Sequence, residues 1–583
     1  MRFGAAKRAM KSSRSASANA ATADVKLFNK HLFQSAEKCQ RLGWFMRRDM
    51  GPKAEFSSLD YFLMTQGRKF EERVYLECFK WSTGDDSPSD TACVTEVDPS
   101  TASVITKELM LPDSGINTLL QPTFVSDRSE VARGDAARRK DDGSWELIEI
   151  KSSSDKNYKK HIPDLAFTVK VANSASSPDR PMVTSSTLIC VDSSYILGGS
   201  SASTLHKEID CTQHVEAHNA KKYKYIEELR EETATLEPPP PVPNTSCGSC
   251  GLFSSCVGSS SPSHPLWEFK NLSPKRFSSL ISSAPSLEVA DCDRDDLTNL
   301  QKLHYDAVVK AGPVVKEKVS AFLGSRSGKI FTRRNPSNPY TPPLYPNVLG
   351  HIQELLSQLN SVTSPVFYLD FESVNLLDPP YDGMTPYETY VTQFSLHSID
   401  SNRPCSASKR SSLHHVEYLA EPERDCREEL LLKLLDCIGD AGSIVVYSSY
   451  EKTQLKKLMT LYPQHAPLVE RAISRLFDLE KLIKQNVRMP AFRGRSSIKV
   501  VLPALCPNFS SAYTDLASRS GIADGGAAIA AMSELIFRST PDEEVANVRS
   551  ALLEYCKLDS LAMVEIHAAL FELLGRQCDH DKQ

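Results

Sequence analysis

Pro365-Val366-Phe367-Tyr368-Leu369-Asp370-Phe371-Glu372 is a short apolar run that ends in two carboxylates. Such a run suits a buried strand. The alternation of a strand puts Asp370 and Glu372 on one face and Leu369 and Phe371 on the other. Two carboxylates at i and i+2 can then share a pair of metal ions. Ser443 to Tyr447 reads as a second buried strand, ending in Ser448-Ser449 and passing into Tyr450-Glu451 at the start of a helical pattern. Glu451 is therefore expected at a strand end, where open α/β sheets bind ligands. Further on, Thr540-Pro541-Asp542-Glu543 combines an N-cap, a proline at N1 and a capping-box glutamate. In the helix it announces, Tyr555 and Asp559 are i and i+4 and share one face.

Mg2+ is held by a few carboxylates plus waters and substrate phosphates, so dispersed acids on buried elements are what metal-assisted phosphodiester cleavage requires. The three segments, in this order, resemble the DEDD 3'-5' exonucleases, in the branch whose third motif reads Tyr-x-x-x-Asp. The resemblance implies an RNase H-like fold using Mg2+ or Mn2+. In it Asp370 bridges two ions, Glu372 and Asp559 complete their shells, and Tyr555 orients the attacking water. The second motif departs from the pattern, since the family carries Asp where this chain has Glu451. The extra methylene moves the carboxylate by roughly 1.5 Å, one carbon-carbon bond. Asp478, in Leu476-Phe477-Asp478-Leu479, reads as a capping residue and is the reserve ligand.

A second constellation lies upstream. Gly134-Asp135 is followed, after a polar stretch, by Trp145-Glu146-Leu147-Ile148-Glu149-Ile150-Lys151. The spacing predicts a hairpin whose second strand aims Glu149 and Lys151 to the same side. Asp135, Glu149 and Lys151 form the pattern of a PD-(D/E)xK nuclease core. There the two acids hold Mg2+ and the lysine orients water or stabilises charge on the phosphate. Glutamate and lysine also alternate on ordinary solvated strands.

Cys247-Gly248-Ser249-Cys250 and Cys256 make a CxxCx5C cluster, and Cys39 stands alone far upstream. With the core pattern, this resembles the iron-sulfur nucleases of the CRISPR-adaptation and RecB-like group. The resemblance implies a 4Fe-4S cluster held by Cys39, Cys247, Cys250 and Cys256, four thiolates being its ligand count. Structural zinc is the rival, on Cys247, Cys250 and Cys256 with Cys39 or His264. Two positions depart from those nucleases: Thr168 stands where they carry glutamine, and the early helix offers Glu71 and Glu72 in place of a histidine.

The order of the two halves resembles the family called domain of unknown function 2779. Matching phrases are Tyr368 to Glu372, Tyr381-Asp382-Gly383 with Pro386-Tyr387, Gln393-Phe394-Ser395-Leu396-His397, and Ser497-Ile498-Lys499 with Leu502-Pro503-Ala504-Leu505. The resemblance spans most of residues 27 to 575. It implies an iron-sulfur PD-(D/E)xK nuclease-like domain over 27–260 and a DEDD exonuclease-like domain over 346–583. Residues 261–345 are expected as a helical and irregular connector.

Composition adds limits. With 583 residues and 40% hydrophobic content, the α/β chain can bury two substantial cores. A net charge of -5 leaves nucleic-acid binding, to DNA or RNA and to single strands or 3' ends, to local basic patches. The candidates are Lys151 to Lys160 and Arg493 to Lys499. No run is apolar enough to cross a bilayer, and fifteen cysteines without regular pairing argue against a secreted disulfide scaffold. Residues 1–26 are basic and rich in serine and alanine, the composition of a mitochondrial or plastid transit peptide or of a disordered tail on a cytoplasmic or nuclear protein. Gly324-Ser325-Arg326-Ser327-Gly328-Lys329-Ile330 is one residue short of a phosphate loop and reads as a polar turn. The function expected is a metal-dependent 3'-5' exonuclease. The alternatives are a catalytically degenerate nucleic-acid-binding or scaffold protein and a zinc-stabilised RNA-processing factor.

Overall fold

In the computed structural model the described residues are 25–53, 55–81, 88–175, 183–199, 204–257, 261–284, 286–309, 352–402, 404, 413–522 and 524–574. Residues 1–24 of the expected leader, the Gly324 to Ile330 loop and the rest of the expected connector from 310 to 345 lie outside them. The described chain divides into two units. One runs to Ser261 and takes in Leu376–Glu388; the other comprises Pro262–Asn375 and everything from Thr389 onward. The division differs from the expected boundaries in two places. Where it is described, the stretch foreseen as a connector belongs to the C-terminal unit, and a short segment inside the expected C-terminal domain belongs to the N-terminal one.

In the N-terminal unit the strands are β1 (Thr91–Cys93), β2 (Thr118–Leu120), β3 (Thr123–Val125), β4 (Val131–Arg133), β5 (Ala136–Arg139), β6 (Trp145–Ser154), β7 (Val183–Val191) and β8 (His206–Asp210). Six of them form one mixed sheet in the order β1-β2-β5-β6-β7-β8, and β3 pairs with β4. The hairpin expected after Asp135 is the antiparallel pair β5–β6, with Ala136 opposite Ile148. From β6 the chain crosses through the Ile162–Ser174 helix to the parallel strand β7.

Strand β6 is covered on both faces. Ile148 and Ile150 pack with Phe70 and Val74 of the Ser58–Phe79 helix, which starts in a capping box made by Ser57 and Asp60. Trp145 and Leu147 pack on the other side with Leu32, Phe33, Leu165 and Phe167. Each fully buried side chain of this kind adds about 1.5–3 kcal/mol of transfer free energy.

In the C-terminal unit β9 (Val366–Asn375), β10 (Thr389–Ile399), β11 (His414–Leu419), β12 (Ser443–Val446) and β13 (Leu476–Asp478) form a five-stranded sheet in the order β11-β10-β9-β12-β13. The β9–β10 and β10–β11 pairs are antiparallel, while β9–β12 and β12–β13 are parallel. Val366 and Tyr368 of β9 join a core with Val445, Leu482, Val501 and, from the long Asp542–Leu573 helix, Met563 and Ile566. The Tyr368 hydroxyl and His567 Nδ1 hydrogen-bond at 2.9 Å inside it. The helix begins one residue later than its capping pattern predicts. Pro541 occupies the cap position, no side chain caps the end, and the Thr540 hydroxyl is buried without a partner. Asp542, Glu543 and Glu544 in the first turn complement the positive end of the helix dipole instead.

Among the described residues no helix is long and apolar enough to cross a membrane. Leu147 is fully buried, so Leu147→Ala should destabilise the protein by about 2–5 kcal/mol through lost contacts and the cavity left behind. Chemical denaturation followed by tryptophan fluorescence measures this, and an unchanged midpoint would contradict the packing described.

Candidate metal centres

Strand β9 carries its apolar face into the core through Val366 and Tyr368, and the next two residues on that face are Asp370 and Glu372. One turn of the Asp542–Leu573 helix brings Tyr555 and Asp559 against them. Ligand oxygens of Asp370, Glu372 and Asp559 all lie within 4.8 Å of one another, the only such trio among the described residues. The three carboxyls come from positions nearly two hundred residues apart in the chain. Burial and the neighbouring acids Asp559, Glu372 and Glu451 push the Asp370 carboxyl well above its ordinary range. Burial and Asp559 do the same to Glu372, opposed by the Lys499 ammonium. Burial also raises Asp559, against hydrogen bonds from Tyr513 and Tyr555 and the charge of Lys499.

Glu451 stands outside the trio but beside it. It occupies the first turn of the Tyr450–Leu461 helix, just past the end of β12. Its side chain is buried, and its Oε2 finds no hydrogen-bond partner. Burial, Asp478 and Asp559 push the carboxyl up to about 8. Asp478 acts as a helix cap, its Oδ1 accepting the Lys481 N–H at 2.8 Å.

Three contributors escaped the motif reading. The Tyr513 hydroxyl donates to Asp559 Oδ1 at 2.5 Å. The Cys556 thiol, fully buried, lies 3.2 Å from Asp370 Oδ2 as a donor. Lys499 Nζ sits 5.3 Å from the Tyr555 ring centroid and 5.4 Å from that of Tyr513, close enough for cation–π attraction. Lys499 was visible as one member of a basic stretch. Tyr513 carried no signal, because it arrives from the separate Ala512–Ser520 helix.

The N-terminal unit assembles a second cluster. Glu149 is 2% exposed, so β6 is no solvated strand. Its Oε1 accepts from Lys151 at 2.7 Å and from Lys30 at 2.8 Å, while its Oε2 is buried without a partner. Burial would raise the Glu149 carboxyl, but the two ammonium groups outweigh it and hold it below its ordinary value. Burial likewise pulls Lys151 down, and Glu149, Asp135 and Asp164 outweigh that and keep it charged. Asp135 goes the other way, raised by burial and by repulsion from Glu149. Its Oδ2 accepts the Ile150 N–H at 2.6 Å, which ties it to the strand that carries Glu149. Glu71 also acts on Asp135; it accepts from the Tyr75 hydroxyl and from Gln121 at 2.9 Å. Thr168 turns back on its own helix, its hydroxyl donating to the Asp164 carbonyl at 3.2 Å.

The four cysteines of the expected cluster all belong to this unit. Cys39 joins the Lys30–Lys38 and Gln40–Met46 helices. Asn244 bridges to it by donating to the Lys38 carbonyl at 3.0 Å, and its own N–H points at Cys247 Sγ at 3.4 Å. Burial raises the Cys247 thiol, and Cys39, Cys250 and Cys256 add to the rise, as four thiols sharing one locale must. All four are free. A Cβ on Gly251 would stand 2.7 Å from Pro52, so the loop between Cys250 and Cys256 has no room for a larger residue there. His264, the alternative zinc ligand, belongs to the C-terminal unit and is taken up by Glu268 at 3.0 Å.

Residues 367–497 match the model of a domain of unknown function, DUF2779. An uncharacterized protein of Ureaplasma parvum serovar 3 is 24% identical over 307 residues, covering 48% of this chain and 43% of that protein. The chain thus spans less than half the length of that relative. No solved structure matches. The chain is similar to that family over the segment that carries Asp370, Glu372 and Glu451.

Proposed function

We propose that the protein is a metal-dependent nuclease that removes nucleotides from the 3' end of DNA or RNA at the Asp370–Glu372–Asp559 centre. The observation that carries this reading is the crowding of three carboxylates, Asp559 buried and Asp370 and Glu372 half-buried, within 4.8 Å of one another, with the Lys499 ammonium offsetting only part of their charge. Such a group is stable only when protonated or when it holds a cation, and a set of hard oxygen donors suits Mg2+ or Mn2+. Glu451, buried with a free oxygen, suits a fourth position reached through water, where its extra methylene is tolerated. The order of antiparallel and parallel strands in the C-terminal sheet supports an RNase H-like fold.

Bound divalent ions supply Lewis-acid activation of the phosphodiester and of water. The chain's own groups do the rest. Tyr513 and Tyr555 hold Asp559 in place through their hydroxyls, and the Cys556 thiol fixes Asp370. Lys499 stands ready to neutralise charge that develops on the phosphate.

In the N-terminal unit, Asp135 and the open Oε2 of Glu149 fit a cation, with Lys151 beside them, in the pattern of a PD-(D/E)xK core. Lys30 already neutralises part of Glu149 and Thr168 faces away, so gripping nucleic acid is the role assigned here. Cys39, Cys247, Cys250 and Cys256 would hold a 4Fe-4S cluster. A single zinc ion draws its thiolates to about 3.8 Å from one another, given Zn–S bonds of about 2.3 Å. The CxxCx5C spacing together with the distant Cys39 supports the larger group.

With Mg2+ or Mn2+ and a 5'-labelled single strand, a ladder shortening from the 3' end is expected, and Asp370→Ala should slow it by about a hundredfold or more. Loss of cutting only in Lys151→Ala would move the chemistry to the N-terminal unit, and no cutting by the wild type would favour a binding protein. Protein purified anaerobically should carry about four irons per chain, lost in Cys250→Ser; one zinc per chain would contradict the cluster.

A third expectation concerns stability. Because the folded Asp370 carboxyl keeps its proton to higher pH than the unfolded one, the metal-free protein loses stability as pH rises from about 4 through the raised folded value. Asp370→Asn removes that loss. Its melting temperature without metal should exceed that of the wild type at pH 8 by more than at pH 5, and a lower value at pH 8 would count against the repulsion.

A further inference from the structure

The C-terminal unit carries a cationic cleft that the acid centre does not use. Lys270 follows the short helix Leu266–Glu268, Lys484 and Arg488 close the Leu479–Asn486 helix and its exit, and Arg495 follows the turn at Gly494. The four side chains line one cleft with His304 and Ser496. Lys484 is paired with Glu480 and Arg488 donates to the Ile483, Val487 and Lys484 carbonyls, while Lys270 and Arg495 have no ion pair among the described residues. The Lys270 ammonium is lowered by burial and by Lys484 and Arg488, against which only Glu480 acts. Glu480 is itself engaged by Lys484 at 2.7 Å and by the Ser496 hydroxyl at 2.9 Å. Glu268, the other acid in the cleft, is spent on His264, His304 and Arg493 at 3.0, 2.9 and 2.9 Å. Gly494 lets the backbone close on the Glu268 carbonyl with φ +72°, where a Cβ would stand 1.8 Å from the oxygen, and so sets Arg495 at the mouth.

The cleft is joined to the acid centre by a short series of contacts. Lys270 Nζ donates to Ser496 Oγ at 3.3 Å, and the Ser496 carbonyl accepts from the Tyr447 hydroxyl at 2.7 Å. Tyr447 and Tyr513 pack against the same hydrophobic core, and the Tyr513 hydroxyl holds Asp559. Three residues beyond Ser496, Lys499 stands over Tyr555.

We infer that Lys270, Lys484, Arg488 and Arg495 form a cradle for the phosphodiester backbone of a single nucleic-acid strand, a few nucleotides away from the bond placed at Asp370. The inference deepens the nuclease reading and rests on it for the identity of the strand. Phe492 beside these side chains is buried, which leaves arginine and lysine as the groups that meet a ligand, and such groups contact phosphates rather than bases, so the cradle binds without sequence preference. It also explains how a chain of net charge -5 can hold a polyanion.

The test is fluorescence anisotropy of labelled single-stranded DNA and RNA in EDTA, over a range of salt, with wild type, Lys270→Ala/Arg495→Ala and a control, Lys107→Ala/Lys140→Ala. Both pairs are exposed and remove the same charge. The cradle variant should bind about tenfold more weakly, on DNA and RNA of any sequence, and its salt slope should fall by about 1.4, at about 0.7 per phosphate contact on a single strand. The control should bind as the wild type does. Equal losses in both variants would reduce the effect to bulk charge and overturn the cradle. Tight binding of inorganic pyrophosphate with the same dependence on Lys270 and Arg495 would overturn the strand assignment in favour of a small-anion site. Hydrolysis by the wild type with Mg2+ or Mn2+ is read separately. Cradle-dependent binding without hydrolysis sinks the nuclease reading alone, and hydrolysis with cradle-independent binding sinks the cradle alone.

Discussion

Three carboxylates crowded together, Asp559 buried and Asp370 and Glu372 half-buried, are the constraint on which the C-terminal unit is built. Asp370, Glu372 and Asp559 repel, and burial strips the water that would screen them. A fold keeps such an arrangement only if the surroundings hold it. Here Tyr513 and Tyr555 restrain Asp559, Cys556 restrains Asp370, and Lys499 offsets part of the charge. The core beneath, from Val366 and Tyr368 to Met563 and Ile566, makes strand and helix a rigid support. Local stability is spent at the centre and recovered in that core, which is the usual economy of a functional site.

The N-terminal unit solves a related problem differently. Its buried Glu149 is compensated from within the chain by Lys30 and Lys151. Acids compensated by ammonium groups stay ionised without a bound cation, whereas the trio of the C-terminal unit is left to hold protons or a cation. The contrast between the two clusters is the physical ground for the proposal that chemistry belongs to Asp370 and gripping to Asp135 and Glu149.

Much of the fold was legible in the sequence. Apolar runs ending in acids marked β9 and β12, and the i, i+4 spacing of Tyr555 and Asp559 put both on the buried face of one helix. The hairpin before Lys151 was equally plain. What stayed hidden has physical reasons. Strand β6 looks half-solvated by alternation, yet it is central and covered on both faces, so Glu149 is buried rather than wet. Pro541 takes the cap position because the helix starts a residue late, and its first turn relies on three acids instead of a side-chain cap. Tyr513, Cys556 and Lys30 belong to no motif, since their roles arise only when elements remote in sequence pack together. The departure at Glu451 was visible, but its open Oε2 was not.

The central claim is that Asp370, Glu372 and Asp559 are a cation site. Calorimetric titration of Mn2+ into the protein, in two buffers of different ionisation enthalpy, tests it most directly. Carboxyls raised above their ordinary range must give up protons when a cation enters, so binding should be accompanied by proton release that disappears in Asp370→Asn. Absence of binding by the wild type, or binding that Asp370→Asn leaves intact, would contradict the account.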